Sequence, residues 1–389
     1  MAIHERTLIR PPITRHDAPV PAAPKRPALR AFGPNWYATV MGTAILASAG
    51  EALPVDVPGL RGACTVVWAL SAVLLVAVLT ARAGHWRHHR DQARTHLLDP
   101  AVAPFLGCLP MALLSVGGAT MVAGTPVLGE RAALAVDVVL YSAGSLLGLA
   151  VAVTVPYLMV VRHRIEPGSA APAWLLPLVP PLVSASLGPL LIHKLPAGQG
   201  REALLLGCYA MFGLTVLATL AVLPLVLARL LHHGPLPLAL TPTLFLVLGP
   251  LGQSTTAVNQ LADVAPGAIG APYATGLGAL AVLYGVPVMG FALLWLALST
   301  ALTVRALRTG MGFAMTWWGF TFPLGTCVTG AAGLARHTGL HAFGWLAEAL
   351  FVCLVAAWAV AGARTVRGLL GGTLLAPPVP VRPPAVGTA

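Results

Sequence analysis

Residues 264–304 contain no Asp, Glu, Lys or Arg. A stretch this long without a charge has no solvated face, and a helix crosses ~30 Å of hydrocarbon in about 20 residues. Further runs that are charge-free or nearly so lie at about 34–52, 58–81, 101–125, 132–161, 172–193, 203–228, 239–262, 313–335 and 342–363. With 271–304 they make ten expected spans. Only 9% of the 389 residues are charged, against about 25% in an ordinary soluble domain. Apolar residues supply 57%, and mean hydropathy is +0.82. The chain therefore reads as an all-α integral membrane protein. Soluble-enzyme and nucleic-acid-binding classes are excluded, despite a formal net charge of +11.

The connections set an expected orientation. Arg82/Arg87/Arg90/Arg94, Arg162/Arg164, Arg229, Arg305/Arg308 and Arg364/Arg367 follow the even-numbered spans. The opposite side holds only Arg61, Arg131, Lys194, Arg201 and Arg336, which leaves 18 of the 23 Lys and Arg on one side. The positive-inside rule then puts both termini in the cytoplasm, and the basic excess needs no acidic partner beyond the lipid surface. Residues 1–31 read as a disordered basic tail without a secretory signal. Residues 370–389 read as a disordered Pro-rich tail, and residues 32–369 as the membrane domain. The expected location is the plasma (inner) membrane.

Four odd-numbered spans carry a proline near their middle: Pro110, Pro181, Pro250 and Pro323, at intervals of 71, 69 and 73 residues. One more step back reaches Gly42 in the first span. This periodicity predicts five helical hairpins of one kind. Mid-helix proline kinks a helix and frees a carbonyl. Five kinked helices around one axis would bring their weak points to one depth along a central path. The odd spans also carry hydroxyls and amides: Thr39 and Thr43 are four apart, and Gln253, Thr256 and Gln260 share a helix face. Such a stripe faces a partner helix or water. Thr39, Gly42, Thr43, Pro110, Pro181, Pro250, Gln253, Thr256 and Pro323 are thus the candidate path-lining residues. No Lys, Arg, Asp or Glu falls within the middle of an odd span, so the path would offer donors without trapping an anion. Phe322 directly precedes Pro323 at mid-span, and one phenyl ring there can close a narrow path by dewetting. Phe320 is its competitor.

Asp137 and Glu348 lie inside even spans. Intramembrane carboxylates are candidates for proton coupling, but both sit near span ends, where interfacial snorkelling or a structural hydrogen bond is the favoured reading. Histidines 85, 88, 89, 96, 232 and 233 sit among arginines and read as solvated loop residues, not a metal site. The five cysteines form no CxxC pair and read as packing residues. Neither nucleotide motif nor hydrolase motif occurs, so no cofactor, metal or enzymatic activity is expected.

PNWYATVMGTAILA, PFLGCLPMALLSVG, LGPLGQSTTAV and WWGFTFPLG, from the first, third, seventh and ninth spans, resemble the tellurite-resistance/dicarboxylate transporter family. That family takes in bacterial tellurite-resistance proteins, fungal malate permeases, fungal sulfite efflux pumps and plant slow anion channels. The resemblance covers about residues 32–368. It implies ten helices in five quasi-five-fold hairpins, a central anion path lined by the odd helices, and a homotrimer. It also implies that Phe322 matches the family's pore-occluding phenylalanine. GPLGQ is similar to the sulfite-efflux branch, so efflux of sulfite-type oxyanions ranks first. Proton-coupled C4-dicarboxylate transport and a chloride or nitrate channel are the alternatives.

Overall fold

The computed structural model describes residues 28–372 and 374–375. Most of both expected tails therefore lies outside the described residues. The described residues form helices and connecting turns, with no strand. The helices are α1 (Tyr37–Glu51), α2 (Leu60–His88), α3 (Arg90–Leu98), α4 (Cys108–Ala119), α5 (Thr125–Leu128), α6 (Glu130–Val161), α7 (Pro180–Ile192), α8 (Gln199–His233), α9 (Leu248–Val264), α10 (Ala271–Arg308), α11 (Thr321–Thr338) and α12 (His341–Leu370).

Two kinds of helix alternate. α2, α6, α8, α10 and α12 are 29–38 residues long. Each buries one narrow stripe. On α6 it is Ala133, Asp137, Tyr141, Gly144, Gly148 and Val155, whose three- and four-residue steps fall on one face. The rest of each surface carries apolar side chains such as Val73, Leu146, Leu217, Leu283 and Val352, suited to hydrocarbon. The stripes of α6, α10 and α12 are rich in Gly, Ala, Ser and Thr, which let helix backbones approach when no hydrophobic effect drives packing in lipid.

The other kind is short and enclosed. α1, α4, α7, α9 and α11 have 12–18 residues. Each is preceded by a 3₁₀ segment: Pro34–Trp36, Ala103–Gly107, Pro172–Leu175, Leu238–Val247 and Met315–Phe320. Each short helix packs on the long helix that follows it, α1 on α2, α4 on α6, α7 on α8, α9 on α10 and α11 on α12. The short helices also pack on one another in sequence, and α11 returns to α1.

Among the described residues, six segments are long and apolar enough to cross a membrane: the five long helices and the stretch Ala103–Leu128 that contains α4. Four of the ten expected spans do not meet that measure, because their 3₁₀ turns and polar side chains shorten and dilute the apolar helix. The structure also corrects the role of the periodic prolines. Pro110, Pro250 and Pro323 are the third residues of α4, α9 and α11, and Pro181 is the second of α7. In the first turn of an α-helix the missing N–H has no intrahelical acceptor to lose. These prolines therefore mark 3₁₀-to-α junctions and do not kink the middle of an α-helix.

The C-terminal end of α4 continues into a π segment, Thr120–Gly124. Its groups are bound by α2: Trp68 Nε1 donates to Thr120 Oγ1 at 2.9 Å, and Thr65 Oγ1 donates to the Ala123 carbonyl at 3.0 Å. Near the start of the chain, Arg82 of α2 is buried and donates from Nη1 to the Phe32 carbonyl at 2.7 Å. α2 thus runs about two turns past the expected span end.

Candidate functional site

All five short helices put side chains on one cavity of about 380 Å³. α1 supplies Ile45, Ser48 and Glu51, and α4 supplies Ser115 and Gly118. α7 contributes Val183, Ser186 and Leu187, α9 contributes Gln253, Thr256 and Gln260, and α11 contributes Phe322, Thr329 and Arg336. The order of residues along each helix gives the cavity two ends. Phe322, on the first turn of α11, lies at one, and Arg336, at the far end of the same helix, lies at the other. The fourteen-residue step from one to the other spans about 21 Å at 1.5 Å per residue.

The three-residue and four-residue spacing of Gln253, Thr256 and Gln260 does bring all three to the cavity. Gln253 Nε2 donates to the Ser186 hydroxyl across the α7–α9 contact. The Thr256 hydroxyl meets the Thr329 hydroxyl at 2.7 Å and donates to the Gly252 carbonyl at 3.0 Å. α9 and α11 come this close because Gly252 has no side chain: a Cβ there would lie 2.6 Å from the Cys327 backbone nitrogen. Phe322 is 2% exposed and lies on the cavity wall. Phe320 instead packs edge-on against Phe245 and Trp317.

Other candidate residues lie elsewhere. Thr39 and Thr43 line an apolar groove between α2 and α12, where Trp358 Nε1 donates to Thr43 Oγ1 at 3.0 Å. Gly42 packs against Thr321 of α11 and Trp318 of the 3₁₀ segment before it. The Pro110 carbonyl packs against Gly144 of α6. Pro250 lines a groove with Leu220 of α8 and Pro287 of α10. Pro181 and Pro323 are buried, and neither is on the cavity wall. Sequence reasoning missed Ser48, Glu51, Ser115, Ser186, Thr329 and Arg336. For two of these a signal was present, since Ser115 and Ser186 each lie five residues after a repeat proline.

Charge is confined to one end. Arg336 pairs with Asp263 at 3.3 Å, and His337 Nε2 lies 2.9 Å from the same carboxylate. Glu51 shares the cavity wall with Arg336. From Phe322 as far as Gln260 the named wall is neutral.

Asp137 is not an interfacial, snorkelling residue. It is 1% exposed on α6, on the side of α4 where Gly117 makes room for it, and neither carboxylate oxygen has a hydrogen-bond partner. A helix face two turns from a loop can still be fully covered by its neighbours. Glu348 is half-buried on α12. The histidines also depart from the expected solvated state: His85 and His96 are buried and stack with ring centroids 5.3 Å apart. Burial and the neighbouring Arg82 and His85 push the His96 imidazole down to about 4. Cys64, Cys108, Cys208 and Cys327 are buried free thiols, and Cys353 is exposed.

Residues 31–366 match the family model described as voltage-dependent anion channel. The sulfite efflux pump SSU1 of Trichophyton rubrum is 28% identical over 345 residues, covering 87% of this chain and 91% of the fungal protein. The same pump of Arthroderma otae is similar to the same extent. An uncharacterized transporter of Methanocaldococcus jannaschii is 24% identical over 346 residues, covering 88% of this chain and 95% of the archaeal one. The match to the family model takes in nearly the whole described structure, and the chain belongs to the voltage-dependent anion channel family of multi-pass membrane transporters.

Proposed function

We propose that the protein carries small oxyanions across the plasma membrane, with sulfite efflux as its activity, through a path along the axis of five short helices. In this reading the chain spans the membrane ten times as five quasi-five-fold hairpins over residues 32–369, with both terminal tails cytoplasmic. The observation that carries it is the cavity itself: all five short helices contribute to its wall, and the wall between Phe322 and Gln260 bears hydroxyls and amides but no full charge. Such a wall can replace part of an anion's hydration without holding the ion too tightly for release. Phe322 is the gate, Gln253 offers its second amide proton to the passing anion, Thr256 lies beside it on the wall, and the remaining candidates shape the helices around it. Similarity to the fungal sulfite pumps supports sulfite over other anions.

Anion flux into proteoliposomes, comparing sulfite, malate, chloride and nitrate, tests this. Sulfite should be carried fastest. Saturable malate transport without sulfite flux reverses the ranking, and no flux of any anion ends the transport reading. An epitope placed after Gly371 should be protected from external labelling, and mass measurement in nanodiscs tests the homotrimer that the family resemblance implies.

One observation favours proton-coupled dicarboxylate transport as a second reading. Asp137 is a buried carboxyl with neither oxygen hydrogen bonded, and such groups inside membranes serve proton relays. Asp137→Asn should then abolish the dependence of malate flux on external pH, whereas Glu348→Gln serves as the half-buried comparison.

A further inference from the structure

We propose that Ser115, Ser186 and Gln253 form a binding subsite for a singly charged oxyanion that carries its own proton, with hydrogensulfite the simplest example. The inference rests on reading the cavity as an anion path and specifies which ionic form the path accepts.

Most of the cavity's hydroxyls spend their proton on a helix carbonyl. Ser48 donates to Ala44 at 3.4 Å, Ser186 to Val183 at 2.9 Å, Thr256 to Gly252 at 3.0 Å and Thr329 to Thr326 at 3.1 Å. Ser115 differs. It is 5% exposed and its hydroxyl has no partner, so its proton is free for a ligand. Ser115 and Ser186 lie five residues past Pro110 and Pro181, at the same position on adjacent helices, since α4 packs on α7.

Gln253 is 4% exposed and spends an amide proton on Ser186. Because Ser186 uses its own proton on Val183, it must accept from Gln253, and this fixes the orientation of the amide. The Gln253 carbonyl oxygen is left without a partner. Gln260, two turns along the same face, also has an unpartnered carbonyl oxygen. The same wall therefore holds an unused donor and unused acceptors, and each unmade bond is costly when buried.

That combination selects a ligand class. A halide, or an oxyanion with no proton, satisfies the Ser115 donor and is repelled by the amide oxygens. An oxyanion with a proton serves both. A second charge is disfavoured as well, since desolvation cost rises steeply with charge. The one basic side chain on the wall, Arg336, is already paired with Asp263, and Glu51 shares the wall.

The test follows thermal unfolding of the detergent-solubilised full chain in hydrogensulfite and in methanesulfonate. Methanesulfonate has the same charge and three oxygens on sulfur but no acidic proton. Hydrogensulfite should stabilise at concentrations at least about tenfold lower, the equivalent of one charge-assisted hydrogen bond. Ser115→Ala should raise the concentration required by about three- to tenfold, and Ser115→Thr, which keeps the hydroxyl, should restore it. Raising the pH until sulfite loses its last proton should remove the stabilisation. Equal stabilisation by the two anions, or an unchanged response in Ser115→Ala, overturns the inference. Proteoliposome flux separates it from the reading beneath it. Flux that ignores Ser115 removes the subsite and leaves transport standing. Stabilisation that depends on Ser115, in a protein that passes no anion, keeps the subsite and removes transport.

Discussion

Phe320 meets Phe245 edge-on, with ring centroids 4.8 Å apart and planes at 84°. This contact, together with that to Trp317, commits Phe320 to packing between the 3₁₀ segments that precede α9 and α11. Phe322, two residues on, is the ring that lies on the cavity wall.

The two rings should therefore respond differently to truncation. Phe322→Ala removes an apolar plug and should raise anion flux at least about tenfold, the equivalent of ~1.4 kcal/mol off the barrier. Expression and particle size should not change. Phe320→Ala should leave flux near the wild-type level and lower the detergent melting temperature instead. Reversed phenotypes would show that the gate has been assigned to the wrong ring.

Thr43 provides a contrast between a polar residue of the cavity and one outside it. Its hydroxyl accepts from Trp358 of α12, so Thr43→Val should cost about 0.6 kcal/mol, the mean for interhelical hydrogen bonds in membranes. Anion preference should stay as in wild type. Gln253→Leu loses an interhelical bond of the same kind, to Ser186, so its melting temperature should fall by a similarly small amount, but it should also lower sulfite flux or shift anion preference, which Thr43→Val should not. A shift in ion preference with Thr43→Val would put the path on the α12 side of α1.

These cases show what the sequence could and could not convey. Gln253, Thr256 and Gln260 share a face by spacing, and that face does line the cavity. Thr39 and Thr43 share a face by the same rule, and theirs meets α2 and α12. Spacing fixes which side chains lie together, but the neighbouring helices decide where the shared face points. The long helices were legible because an outer helix alternates a small-residue stripe with a broad apolar surface. The 3₁₀ starts of the short helices were not. A proline in a first turn and one in mid-helix look alike in sequence, and only the hydrogen-bond pattern tells them apart. The burial of Asp137 was hidden for a related reason, since Gly117, which makes room for it, lies on another helix.

Gly252 sits at a close approach of α9 and α11. An added Cβ would lie 2.6 Å from the Cys327 nitrogen and 2.7 Å from the Thr326 carbonyl carbon, both backbone atoms that no rotamer change can move. Gly252→Ala should therefore destabilise by about 1–3 kcal/mol through overpacking. It should also separate Thr256 from Thr329, so flux should fall along with stability. A melting temperature equal to wild type would mean that the two helices can part freely at this level.

His96 makes stability depend on pH at the end of α2 where Arg82 meets the chain start. Burial is the largest influence on it, followed by the positive Arg82 and by His85, and together they lower the imidazole from its ordinary 6.5 to about 4. Asp99 acts in the opposite sense but is outweighed. The folded protein thus resists a proton that the unfolded chain takes up readily. Above the unfolded value the histidine is neutral in both states and its burial carries no pH-dependent penalty. As pH falls from 6.5 towards 4 the unfolded state binds the proton first, so stability declines across that window. Hydrogen exchange in residues 90–98 should accelerate as the pH is lowered through this range, after correction for the intrinsic exchange rate. His96→Gln keeps a polar side chain but cannot titrate, and its exchange should be flatter with pH. If the variant follows the wild-type profile, the acid sensitivity of this segment comes from another group, with the exposed Arg30–Asp91 pair the next to test.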